Sequence, residues 1–153
     1  MRTVYVTGVG IVSAIGIGVT ANRSALLAKA SGISYSRHLN SLLKDVLPAA
    51  EVTATTKELQ ALYGENGRLF PNRLNLMAAI AIREAIGASA EKIQQHNIGF
   101  INASSVGGMG DVEDIYDRLV DPADLDESLI PFGETLDCGH GTMELARHFK
   151  LTG

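Results

Sequence analysis

Val4-Tyr5-Val6-Thr7-Gly8-Val9-Gly10-Ile11-Val12-Ser13 is dense in β-branched residues, carries no charge and is broken by two glycines toward its end. Branching at Cβ suits a pleated surface, so the stretch predicts a buried strand running into a tight turn. Ile98-Gly99-Phe100-Ile101-Asn102-Ala103 has the same character and predicts a second central strand, entering the glycine-rich loop Ser104-Ser105-Val106-Gly107-Gly108-Met109-Gly110.

Helical signals fill the intervals. After the first turn, Thr20 or Asn22 is placed to cap a helix with Ala25, Leu26, Leu27 and Ala30 on its apolar face and Gly32 as its left-handed stop. Lys57 to Tyr63 predicts a short helix. Arg73 to Ile86 is the strongest, with Leu74, Met77, Ala81 and Ala85 at helical spacing and Leu76, Ala79, Ile80 and Ile82 widening the stripe until most of the helix must be covered. Asp111, Glu113 and Asp114 suit the start of a further helix that Asp121-Pro122 stops, a loop runs through Pro131, and Thr142 to Lys150 predicts the last helix. Strands alternating with helices imply an α/β layered fold on a largely parallel sheet.

Composition restricts the class. The chain has 153 residues, a net charge of −4, 46% hydrophobic and 20% charged residues, one cysteine and no tryptophan. These are the proportions of an ordinary globular protein and exclude fibrous and disulfide-scaffold classes. No apolar run approaches the ~18 residues that would span a bilayer, and Met1-Arg2-Thr3 leads straight into the first strand segment, so a cytoplasmic protein is expected. At this length a single core is feasible and no second domain is expected. Residues 1–44 hold five basic residues and no acid, leaving eight basic against seventeen acidic residues beyond. The five charges are scattered with none adjoining another, which is unlike a nucleic-acid patch.

Three constellations resemble chemical motifs. Gly8-Val9-Gly10-Ile11-Val12-Ser13 approaches a dinucleotide-binding turn, but Ser13 replaces the third glycine and no acid precedes Asp45 to bind a ribose. Ala103-Ser104-Ser105-Val106-Gly107 approximates a nucleophile elbow, with Ser105 as nucleophile and His140 or His148 as base. Ala103 replaces its first glycine, and the bland alternative is hydroxyls bonding local backbone in a turn. Asp137-Cys138-Gly139-His140 sets the only thiol near an imidazole, yet His38, His96 and His148 have no metal-type spacing, so no metal site is assigned.

Val4 to Gly16, read V-Y-V-T-G-V-G-I-V-S-A-I-G, resembles the N-terminal strand and turn of β-ketoacyl-acyl-carrier-protein synthases, with Ala14 where a proline is usual. Gly32-Ile33, the alanine-rich helix from Arg73, the S-S-V-G-G-M loop at 104–109 and A-R-H-F-K-L-T-G at 146–153 follow in the family's order. Residues 33–72 match least.

The resemblance implies a thiolase-like layered fold, of which residues 1–153 form the N-terminal portion, an incomplete first half with a largely parallel central sheet. It implies an acyltransferase of fatty-acid or polyketide synthesis that condenses an acyl chain with a malonyl thioester by decarboxylation. The nucleophilic cysteine and two histidines of that reaction are expected beyond Leu151-Thr152-Gly153, so this chain carries no catalytic residue and is expected to be inactive alone. Cys138 precedes that landmark and lacks the small-residue turn that would present its sulfur. Val106, Gly107, Gly108, Met109, Leu136 and Cys138 become candidates for the wall of an acyl pocket or a dimer interface. No cofactor is implied. The partners implied are an acyl carrier protein and a ketosynthase subunit, as homodimer or heterodimer, without nucleic acid or membrane span. Two alternatives stay open: a non-catalytic partner subunit resembling a chain-length factor, and a small serine hydrolase using Ser105.

Overall fold

The computed structural model describes residues 3–38, 41–70, 72–89, 93, 96–113, 115–123 and 125–151. Met1, Arg2, Asp114, Thr152 and Gly153 of the readings above lie outside them. The chain divides into two compact units, one drawn from Met1–Arg68 and Met77–Gly87, the other from Leu69–Leu76 and Ala88–Gly153.

In the first unit only the end of the opening apolar stretch is strand. β1 (Val12–Ser13) pairs antiparallel with β2 (Gly16–Ile17), Val12 opposite Ile17 and Ser13 opposite Gly16. Helix α1 (Val19–Leu27) follows. Its N-terminus is satisfied from a distance: the Glu84 carboxylate accepts from the Val19 N–H at 2.7 Å and from the Ile11 N–H at 3.1 Å. A carboxylate at a helix N-terminus meets both the unsatisfied donors and the positive end of the dipole. Asn22, expected as a cap, is instead buried inside the helix. Its amide donates to the carbonyls of Gly16 and Gly18, and its Oδ1 accepts from the Ser13 hydroxyl. The left-handed position after the helix falls on Lys29, φ 54°, rather than on Gly32.

β3 (Ile33–Tyr35) and β4 (Pro48–Ala50) form a second antiparallel pair with Ile33 opposite Ala50. Glu51 closes it by accepting from the Ser36 hydroxyl at 2.8 Å and the Arg37 N–H at 2.7 Å. Burial raises the Glu51 pKa, but these hydrogen bonds, with the backbone and charge of His38, outweigh it and hold the carboxyl below its usual value. Helix α2 (Thr56–Tyr63) opens on a reciprocal capping box: Thr55 Oγ1 accepts from the Glu58 N–H, and the Glu58 carboxylate accepts from the Thr55 N–H. Arg83 closes its other end, donating to the Leu62 and Tyr63 carbonyls with its guanidinium 4.3 Å over the Tyr63 ring.

Helix α3 (Arg73–Ile86) has the predicted bounds. Leu76, Ala79 and Ile80 are its most buried apolar residues, at the three- and four-residue spacing of one helical face. In the second unit the predicted helix at Asp111 is two short ones, α4 (Met109–Glu113) and α5 (Tyr116–Val120), with Asp121 at the end of the latter. The expected loop before Pro131 includes a 3-10 turn, Glu127–Leu129, and leads into α6 (Ile130–Glu134). The last helix, α7 (Cys138–His148), starts four residues before the predicted Thr142, because the Asp137 carboxylate accepts from the Gly139 N–H at 2.8 Å and caps it.

The expected α/β thiolase-like fold with a largely parallel central sheet is not what the structure contains. Among the described residues the strands form two separate two-stranded antiparallel sheets, and helices dominate. Of the segments read as central strands, Val4–Ser13 and Ile98–Ala103, only Val12–Ser13 has a ladder partner among the described residues, and Val4, Val6 and Ile101 are 90%, 85% and 94% exposed. β-branched composition favours extended backbone, but a strand also needs a neighbour to take its N–H and C=O groups. Here the glycines of the first segment meet a helix instead. A Cβ on Gly8 or Gly10 would fall 1.9 Å from the Ala85 carbonyl oxygen or 1.8 Å from that of Ala81, so the segment lies directly on the α3 backbone. Only glycine permits that approach.

Candidate functional site

Most of the sequence-predicted site residues lie on two stretches of the second unit, the loop 104–109 and the segment 132–138. The loop is shaped locally: Ser104 Oγ accepts from the Gly107 N–H at 2.9 Å, and Gly107 takes φ 56°. This is the turn-forming reading of the serine. The two stretches are joined by a backbone hydrogen bond in which the Gly108 N–H donates to the Thr135 carbonyl at 2.7 Å. Glycine is required for that contact. A Cβ on Gly107 would stand 2.7 Å from the Thr135 carbonyl oxygen and 2.9 Å from that of Leu136, and one on Gly108 would stand 2.3 Å from Thr135 Oγ1. Thr135 is itself fixed by donating its hydroxyl to the Phe132 carbonyl at 2.7 Å.

Behind this contact lies a buried polar pair. Asn72 stands immediately before α3, where its Oδ1 accepts from the Leu74 and Asn75 N–H groups at 2.8 and 3.2 Å, so it caps the helix. The Asn75 side-chain amide donates to the Glu144 carboxylate on α7. Both asparagines are 4% exposed, and no buried side-chain nitrogen or oxygen among the described residues lacks a partner. Asn102 donates to Thr142 Oγ1 at 3.3 Å. Further along α7, His148 packs edge-on against Phe70 and Phe149, with ring centroids 4.6 and 4.9 Å apart. Burial pushes its imidazole pKa down, and the Glu144 charge pulls it back up by less.

Two concavities result. A polar cleft lined by Asn72, Asn75, Ser104, Gly108, Cys138 and His140, among others, has a volume of about 10 Å³, room for about one water molecule. An apolar hollow of about 100 Å³ shares Asn72 and Thr135 with it and is completed by Asp111, Pro131 and Phe132. It is smaller than the several hundred Å³ usual for a drug-sized ligand.

The structure therefore brings Gly107, Gly108 and Cys138 to one cleft and sets Leu136 against Gly107, while Val106, Met109 and Leu136 keep about half their surface exposed. Cys138 is a free, exposed thiol at the start of α7. Among the described residues no three His, Cys, Asp or Glu side chains come together as metal ligands would. Asn72, Asn75, Thr135 and Glu144 were not legible as site residues. Asn72 preceding a strong helical pattern signals a cap, but nothing local couples Asn75 to Glu144.

Compared with known proteins, the chain matches no family model and no curated protein. No described helix is long and apolar enough to cross a membrane.

Proposed function

We propose that the chain supplies a non-nucleophilic portion of a β-ketoacyl-acyl-carrier-protein synthase-type acyltransferase, contributing wall rather than chemistry to an acyl-binding region. One observation carries this reading: the loop Val106 to Met109 and the segment that holds Leu136 and Cys138, separate in sequence and both candidates from the resemblance, meet through the Gly108–Thr135 hydrogen bond beside an apolar hollow. A cavity wall of this kind selects by volume, where one methylene is worth roughly 1–3 kcal/mol. The chemistry would be decarboxylative condensation in fatty-acid or polyketide synthesis, in the cytoplasm, with an acyl carrier protein as donor. No residue of this chain is assigned to bond making, and Cys138 lines the polar cleft rather than the apolar hollow.

Incubation with acyl-loaded and malonyl-loaded carrier protein tests it. The expected result is saturable binding of the acyl carrier by fluorescence anisotropy, with no condensation product and no acyl adduct by intact mass. Turnover, acylation of Cys138 or absence of carrier binding would each overturn it.

A second reading, a non-catalytic partner subunit resembling a chain-length factor, is favoured by the exposed, uncharged segment Val4–Val9, which has no ladder partner among the described residues. Unpaired extended backbone is a template for strand addition. Co-purification with a full-length ketosynthase supports this reading, and a stable monomer in a pull-down against that subunit counts against it.

A further inference from the structure

We draw no further inference here: the strongest candidate, the exposed segment Val4–Val9 of the first unit, already serves the partner-subunit reading above, and nothing in the structure shows what covers it.

Discussion

The side-chain amide of Asn75, on α3, donates to the carboxylate of Glu144, on α7, across 69 residues of sequence. Asn75 is almost wholly buried, so this bond is its exchange for water. Removing the acceptor by Glu144→Ala leaves a buried donor without it, at a cost of about 1–3 kcal/mol. Urea unfolding is expected to show a lowered midpoint with an unchanged slope. An unchanged midpoint would mean that the amide finds another partner.

Gly141 lies under the same asparagine. In the interior of a helix, glycine-to-alanine replacement ordinarily stabilises by roughly 0.5–1 kcal/mol. Here the new Cβ would stand 2.6 Å from Asn75 Oδ1, so Gly141→Ala is expected to destabilise instead. In an Asn75→Ala background the obstruction is gone, and the same change is expected to become neutral or stabilising. A double-mutant cycle measures this coupling, and additive effects would contradict the contact.

The opening segment depends on Gly10. A methyl group there would meet the Ala81 carbonyl oxygen at 1.8 Å, a distance that side-chain rotation cannot relieve because the neighbour is backbone. Gly10→Ala is expected to lift residues 3–11 from α3 and speed their amide exchange, while the α7 amides keep wild-type rates. Unchanged exchange in residues 3–11 would refute the close approach.

Acid should weaken the second unit through His148. Its folded pKa is lowered by burial against Phe70 and Phe149, whereas the unfolded imidazole titrates near ~6.5. Below that value the unfolded chain takes up a proton that the folded chain resists. The stability contribution is therefore present above ~6.5 and declines as pH falls through that value toward the folded pKa. Unfolding free energies measured between pH 7.5 and 5.5 are expected to fall more steeply for the wild type than for His148→Gln. Equal slopes would remove His148 as the cause.

The α3 boundaries were legible because its long, wide apolar stripe leaves few alternatives to a helix; the cap Asn72 was not read. α2 was legible to within one residue, Lys57 to Tyr63 read against Thr56–Tyr63 found, and its signals are local, since Thr55 and Glu58 form a capping box not named among them. α1 shows the limit of local reading: its start depends on Glu84, more than sixty residues away, and Asn22 turned inward to hold the carbonyls of Gly16 and Gly18. For the site, the loop glycines and Cys138 were singled out as wall candidates only through the resemblance, and the contact of Gly108 with Thr135 was not foreseen.

The sequence by itself determined where α2 and α3 run and where glycines interrupt the uncharged β-branched stretches Val4–Ser13 and Ile98–Ala103. These are short-range preferences of backbone and side chain, expressed whatever lies nearby. Only the tertiary structure decided that Val12 and Ser13 pair with β2 while residues 4–11 and 98–103 find no ladder partner among the described residues, that Gly8 and Gly10 rest on a helix rather than in a sheet, and that Asn75 is satisfied by Glu144. Strand pairing and the burial of polar groups depend on which distant segment supplies the partner, and composition carries no record of that.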